Sequence, residues 1–263
     1  MWLTAGNRAQ HLQSDDLLAL AHGEPHAERY GSRGATDWVD RLNSRSPARP
    51  RRRGDDNRRM DLILVLLPLS VMLVVWRRHE ERQRILLLGS HLKKYRIEQR
   101  MEQLTDGYLR ALGETDPARS APIWHNLAGT EAALQTELQQ LADALNDVWG
   151  ERLRVSRWPV SVPMATRLFP QHSFDLRALV QLHAQGLAAT LRNDEGLSTR
   201  DRAFRATAEL LLFQHSCHWF CRSKTVASAR VLTRHQTTYE QVLAAVSPAT
   251  RAGYERVTGL KPN

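Results

Sequence analysis

Residues 60–78 read MDLILVLLPLSVMLVVWRR and contain the longest apolar run of the chain. From position 62 to position 76 every residue is apolar except Ser70. A helix rises about 1.5 Å per residue, so these residues would cover about 22 Å of a hydrocarbon core that is about 30 Å thick. The run is therefore shorter than the hydrocarbon core. An arginine side chain that reaches back to the headgroups, together with local thinning of the bilayer, can make up much of the missing length. Residues 60–78 are therefore predicted to form a transmembrane anchor.

The residues that follow the apolar run support this interpretation. Trp76 is followed at once by Arg77 and Arg78. Such an order is typical of a membrane interface, where an amphipathic ring lies among the headgroups and cations lie in water. Two alternatives stay open. One is a buried core helix, which short apolar runs often form. The other is a signal peptide, although that would lie at the extreme N-terminus and end in a small-residue cleavage site.

Composition bounds the rest of the chain. Of 263 residues, those outside the anchor are enough for one domain of about 150–180 residues and a tail. The net charge is +9, yet only four of the 37 basic residues are lysine, which points to a GC-rich, bacterial genome. Because the basic residues are spread along the chain rather than concentrated on one stripe, nucleic acid is an unlikely partner.

Residues 1–59 have the composition of a disordered, Arg-rich tail, because few apolar residues recur there at helical spacing. The arginines of residues 45–59 could contact anionic lipid headgroups, or nucleic acid tethered to the membrane. A second hypothesis is that translation starts at Met60, so that residues 1–59 are not made. If it does, the cations lie only after the anchor.

The charge beside the apolar run predicts the topology. Cations near a membrane helix stay in the cytoplasm, and Arg77, Arg78, Arg82 and Arg84 follow the run. With a start at Met1, upstream arginines nearly balance them. The two cysteines then favour a reducing compartment, since one helical turn does not suit a disulfide. We expect a single-pass protein of the inner (plasma) membrane with a cytoplasmic C-terminal domain.

Residues 79–113 are rich in helix formers and predict a basic juxtamembrane stalk that ends near Gly113. Apolar residues recur there at alternating three and four spacing. A possible partner-binding face consists of Ile97, Met101, Leu104 and Tyr108. Besides the lipid bilayer around the anchor, the expected partner is another membrane protein or a second copy of the chain, which would contact this face unless the domain itself covers it.

Residues 114–263 predict an all-α, helical-bundle domain of about five helices. Expected helices cover about 130–149, start at Ser173 and at Ser198, and cover about 226–246, with Pro248 opening a short last one. The proline-interrupted segment 150–172 is too apolar for a free linker and is expected to pack on the bundle as an ordered loop. Sustained strand alternation is not seen.

The densest cluster of reactive side chains lies in residues 214–221, QHSCHWFC. On a helix, Cys217 and Cys221 share one face with His218 near it, whereas His215 points elsewhere. Thiolate and imidazole at this spacing can contribute to a tetrahedral zinc site, which would need further ligands from another helix. The alternative is that both cysteines are small buried hydrophobes, so we expect no cofactor, with zinc as the metal if one binds.

The sequence carries no phosphate-binding glycine loop, zinc-finger spacing or nucleophile elbow. His172 with Asp175, and His183, could act as acid–base groups but are more typical of satisfied surface or core residues. No catalytic residue is assigned. The sequence favours a non-enzymatic adaptor that holds or regulates a partner complex at the inner membrane. The alternatives are a metal- or redox-responsive sensor built on the Cys/His cluster and a membrane-tethered nucleic-acid binder.

Overall fold

The computed structural model describes residues 53–260, which are mostly helical, as an all-α prediction requires. The helices of this part of the chain are α1 (Arg53–Leu92), α2 (Ile97–Gly113), α3 (Pro117–Asn146), α4 (Ala165–Leu168), α5 (Leu176–Arg192), α6 (Thr199–Cys221), α7 (Lys224–His235), α8 (Tyr239–Ala245) and α9 (Pro248–Thr258). Two strands, β1 (Arg154–Ser156) and β2 (Ser173–Asp175), and two 3₁₀ turns, Gly150–Leu153 and Pro170–His172, complete it.

Helix α1 contains the predicted anchor but begins earlier, at Arg53. The predicted tail therefore gives way to helix before residue 60, and its residues 1–52 lie outside the described residues. Pro68 sits inside the helix, and the hydroxyl of Ser70 donates to the Leu67 carbonyl (2.7 Å). The chain divides into two compact units, Met1–Met72 and Leu73–Asn263. In the described part of the first unit, residues 53–72 are helical throughout.

The predicted stalk is part of the second unit rather than a separate segment. Residues 93–96 interrupt the helix, and α2 then packs along α3. Leu88 and Leu92 of α1 are buried in the core. In α2, Gly107 lies against Leu127 so closely that a β-carbon there would overlap the leucine, so this glycine permits close packing rather than bending the helix. Gly113 does not adopt the left-handed conformation of a capping glycine.

Buried Glu131 joins three helices. The hydroxyl of Tyr108 on α2 donates to Glu131 Oε1 (2.5 Å), and Arg202 on α6 donates to Glu131 Oε2 (2.9 Å). Glu131 lies on α3, so its two carboxylate oxygens accept hydrogen bonds from two other helices. A buried charge requires such partners because its desolvation is otherwise costly.

Helix α3 starts at Pro117, well before the expected start at Thr130. Asp116 caps it by accepting from the Ala118 backbone N–H (2.9 Å). Proline is favoured in the first turn because its missing N–H would have no helical partner there. The predicted apolar stripe of this helix is confirmed, since Leu134, Leu138, Leu141 and Leu145 are buried.

A small antiparallel sheet, which the sequence pattern did not predict, occupies the proline-interrupted segment. Its strands pair Val155 with Phe174, and both side chains are buried. Trp219 of α6 donates from Nε1 to the Ser156 carbonyl (3.0 Å) and packs edge-on against Phe174. The helix that was expected to start at Ser173 therefore starts after strand β2, at Leu176, and Asp175 is its N-terminal cap.

Helix α6 lies at the centre of the domain and packs on α5, α7 and α8. Its predicted cap is confirmed, because Ser198 accepts from the Asp201 N–H (3.1 Å). The single helix expected over 226–246 is two helices, α7 and α8, separated at Gln236 with a positive φ of 51°. Pro248 opens the last helix as predicted, behind the Ser247 cap.

Candidate functional site

The apolar run, residues 62–76, is the most exposed apolar surface of the described chain. Its large apolar side chains are 39–69% exposed along the whole length, on every side of the helix. Helix α1 is the one described helix that is long and apolar enough to cross a membrane. A surface that is apolar all round is found either in a protein core or in lipid. None of this surface is buried by the described part of the protein.

The residues predicted to lie at a membrane interface stand where the helix joins the domain. Trp76 is exposed, and so is Arg78. Arg77 donates from Nε to Oε1 of buried Glu81 (2.9 Å), and Arg222, which follows α6, lies 3.4 Å from the other Glu81 oxygen. Glu81 therefore ties the first polar turn of α1 after the apolar run to the end of the central helix of the domain.

Directly beside this junction lies a cleft between α1 and the proline-interrupted segment, with a volume of ≈ 290 Å³. The Met164 backbone N–H donates to both oxygens of Glu80 (3.1 and 3.3 Å), which fixes the segment against α1. The cleft is lined by Glu80, Gln83, Arg84, Leu87, Trp149, Glu151, Arg152, Thr166 and Arg167. Trp149 lies at the edge of the cleft and is 76% exposed.

The cleft is suited to binding a polar chain rather than to burying an apolar ligand. Arginines 84, 152 and 167 stand in it beside glutamates 80 and 151. The Arg84 guanidinium reaches back to the Phe220 carbonyl (3.4 Å) and lies over the Phe220 ring. The cleft thus places guanidinium donors, of which Arg84 is held by Phe220, next to an exposed indole, a combination typical of protein-binding surfaces.

The predicted metal cluster is not assembled. His215 stacks on Tyr239 and pairs through Nε2 with the Ser228 hydroxyl (3.1 Å). His218 faces α7, where Arg230 donates to its Nδ1 (3.2 Å). Arg230 thus occupies one of the two ring nitrogens through which His218 could bind a metal. Among residues 53–260, no group of three or more His, Cys, Asp and Glu side chains could hold a metal ion.

The two cysteines are buried in the core as unpaired thiols. Burial raises the pKa of the Cys217 thiol well above its usual value and the pKa of Cys221 to about 12. The thiolate, which is the form that binds metal and reacts with oxidants, is therefore disfavoured at both positions. This arrangement matches the interpretation of the pair as small buried hydrophobes.

A buried His–Ser pair lies on the other side of α6. Ser216 donates its hydroxyl proton to the Leu212 carbonyl (3.0 Å), so it accepts from His183 Nε2 (2.9 Å). An activated serine would instead direct its proton to the histidine. Burial lowers the pKa of His183 to about 3. The pair thus holds α5 to α6 with a neutral imidazole.

The predicted partner-binding face is occupied inside the domain. Ile97, Met101, Leu104 and Tyr108 are all buried, on the side of α2 that packs against α3. The periodicity identified a real apolar face, but α3 covers it. In this structure the face is therefore a packing surface of the domain.

The structure exposes apolar residues that sequence reasoning assigned to the packed loop. Val160, Val162, Leu168 and Phe169 are all exposed, whereas Ala165 in the same segment is buried. The sequence signal for this exposure was the mixture of apolar residues with prolines and arginines, which does not match the period of a core-facing element.

No family model matches the chain, and comparisons with curated proteins and with solved structures give no significant match.

Proposed function

We propose that this protein is a membrane-anchored, non-enzymatic adaptor that holds or regulates a partner complex at the bacterial inner membrane. The observation that carries the proposal is the exposure of the apolar run on α1. Leaving each large apolar side chain in water instead of burying it costs about 1.5–3 kcal/mol. A bilayer removes this cost along the whole run, and a helix satisfies its own backbone hydrogen bonds there.

The proposed orientation places the domain in the cytoplasm. Four arginines follow the run within two helical turns, at positions 77, 78, 82 and 84, and cations beside a membrane helix are retained on the cytoplasmic side. The protonated, buried thiols of the domain are compatible with a reducing compartment.

The cleft beside the junction is the surface proposed to bind the partner. It combines the exposed Trp149 indole with the guanidinium group of Arg152. Tryptophan and arginine are the residues most enriched at binding hot spots, because each buries a large area and keeps a directional polar group. Anchoring the cleft next to the membrane raises its encounter rate with other membrane components.

The experiment is purification of the full chain, tagged at its C-terminus and expressed from its own locus, from detergent-solubilised membranes, followed by mass spectrometry. Wild type is compared with Trp149→Ala and with Leu109→Ala, a control at an equally exposed residue on α2. We expect one stoichiometric partner with wild type and with the control, and a loss of most of it with Trp149→Ala, since hot-spot truncation costs about 2 kcal/mol or more.

Recovery of the chain in the soluble fraction, without detergent, would overturn the membrane anchor. Recovery from membranes without any stoichiometric partner would overturn the adaptor role. Equal recovery of the partner with wild type and Trp149→Ala would remove the cleft from the proposal, because the binding surface would then lie elsewhere.

A further inference from the structure

The exposed apolar residues of the domain are not evenly spread. Leu86, Leu109, Phe204 and Leu232 are scattered singly along four helices, as on most soluble proteins. In contrast, four large apolar side chains are exposed within residues 157–169, here named the interfacial loop: Val160, Val162, Leu168 and Phe169. A local concentration of this kind marks a contact surface.

The interfacial loop is fixed at two points. Its Met164 N–H is bound by Glu80 of α1, as described above. Its Pro159 carbonyl accepts from the Thr225 N–H (3.1 Å) and from the Thr225 hydroxyl (2.8 Å) at the start of α7. Trp158 also packs on Phe169, with ring centroids 5.2 Å apart. The exposed apolar side chains are therefore held in position and do not belong to a free linker.

The loop is attached to α1 about one helical turn beyond Trp76. Glu80, which accepts from the Met164 N–H of the loop, follows Trp76 by four residues, or about 6 Å along a helix axis. Tryptophan followed by arginines is typical of the headgroup level of a membrane. With Trp76 at that level, as the proposed anchor requires, Glu80 and the loop bound to it lie about one helical turn from Trp76, beside the headgroups.

The charge of this end of the domain is complementary to anionic lipid. Arg78, Arg82 and Arg167 are exposed and form no ion pair within the part of the chain that the structure describes. Of the three glutamates nearby, Glu80 is bound by the loop backbone and Glu81 by two arginines, while exposed Glu151 lies in the cleft with Arg152 and Arg167. Counting Arg78, Arg82, Arg152 and Arg167 against Glu151, this end of the domain keeps an excess of positive charge. Cations near an anionic bilayer surface each favour association by about 1 kcal/mol.

We propose that the interfacial loop is a second membrane contact, which inserts its four exposed apolar side chains among the headgroups of an anionic phospholipid bilayer while Arg78, Arg82 and Arg167 bind lipid phosphates. This inference rests on the proposed membrane anchor. A helix alone leaves the domain free to rotate about its axis. Two contacts fix the domain on the surface and fix the direction in which the cleft opens.

The test uses the full chain in vesicles of phosphatidylcholine and phosphatidylglycerol that carry a spin label on the lipid acyl chain. A fluorescent probe is attached at Val160→Cys, at Leu66→Cys in the apolar run, or at Leu109→Cys on α2. The native cysteines are buried and leave the introduced thiol as the accessible one. Leu168→Cys repeats the measurement at the other end of the loop.

We expect lipid to quench at least half of the fluorescence at positions 160 and 168, as at position 66, and to leave position 109 unchanged. Replacing phosphatidylglycerol by zwitterionic phosphatidylcholine removes the net negative charge of the bilayer, and Arg78→Gln with Arg167→Gln removes two cations from the protein. Both changes should reduce loop quenching, because the equilibrium constant for loop insertion falls about fivefold for each lost attraction between a cation and the anionic surface.

Quenching at 66 without quenching at 160 and 168 would overturn the second contact and leave the anchor intact. No quenching at 66 would overturn the anchor and this inference together. Probes at 160 and 168 that are shielded from water but not quenched by lipid would show a protein on this surface, and would also overturn the inference.

Discussion

The apolar run of α1 and the buried half of α6 are two apolar helical segments with opposite surroundings. The run at 62–76 has one polar residue, Ser70, and exposed side chains on all sides. Residues 208–221 of α6 are buried on nearly all sides, yet they contain Glu209, His215, Ser216 and His218. Neither segment has a polar face.

The difference lies in the polar groups. A helix at the centre of a domain can carry histidines and serines because neighbouring helices supply hydrogen-bond partners, such as Arg230 for His218 and Ser228 for His215. A helix in lipid has no such neighbours, and polar residues there are correspondingly expensive. The content of buried polar residues therefore separates a core helix from a lipid-facing one where periodicity cannot.

The largest effect is expected when the same substitution is made in both helices. Leu212→Arg places an unpaired charge in the core, which costs several kcal/mol, and should unfold the domain. Leu66→Arg should leave the folding of the domain unchanged but oppose membrane insertion by about 3 kcal/mol. Circular dichroism in detergent and the membrane-bound fraction measure the two outcomes. If Leu66→Arg unfolded the domain, the apolar run would be a protein-buried helix and the contrast would fail.

The second prediction uses the three buried histidines at the centre of the domain, His215 and His218 on α6 and His183 on the neighbouring α5, since the apolar run has none. Burial lowers the pKa of His183, His215 and His218 to about 3, against about 6.5 in an unfolded chain. Their contribution is fully present above about pH 6.5 and is lost as the pH falls toward 3, because the unfolded state then binds the protons. At about pH 5 each histidine should lower the free energy of unfolding by about 2 kcal/mol relative to neutral pH.

Urea unfolding of the full chain in detergent, at neutral pH and at about pH 5, measures this loss. His183→Gln can still donate to Ser216 and is the matched variant. It should show a smaller loss on acidification than wild type. Membrane attachment should not change over the same range, since the apolar run has no titrating group. An equal loss in wild type and variant would show that His183 is not buried as a neutral group.

The sequence identified the helical elements better than it identified their neighbours. The stripe that contains Leu104 and Tyr108 was correctly placed on a helix, but its period could not say whether α3 or another protein covers it. The Cys217 and Cys221 pair was likewise placed on one face. Which groups face that helix depends on how α5 and α7 pack on it, and the periodicity of α6 alone could not predict that packing.

Helix ends depended on local signals of unequal clarity. Ser198 and Pro248 were clear start signals and are confirmed. The early start of α3 was not predicted, because Pro117 usually breaks a helix but in its first turn removes no helical hydrogen bond. The break before α8 lies at Gln236, a residue type that rarely takes a positive φ, although Thr238 and Gln241 form a capping box that the sequence does contain.

The smallest effect is expected at two glycines of the domain, one on a buried and one on an exposed helix surface. A β-carbon at Gly186 on α5 would overlap the Thr250 hydroxyl and lie 2.8 Å from Glu209 Oε2, the two residues that hold the start of α9. Gly129 on α3 is exposed and has no atom within 4 Å of the same position.

Gly186→Ala should therefore lower the free energy of unfolding by about 1–3 kcal/mol, because overpacking displaces Thr250 and Glu209. Gly129→Ala should raise it by up to about 1 kcal/mol, because alanine favours a helix over glycine without any new contact. Urea unfolding of the two variants beside wild type gives both values. Since the substitution is identical, opposite signs can come only from the surroundings, and a stabilising Gly186→Ala would mean that α5 and α9 are not closely packed.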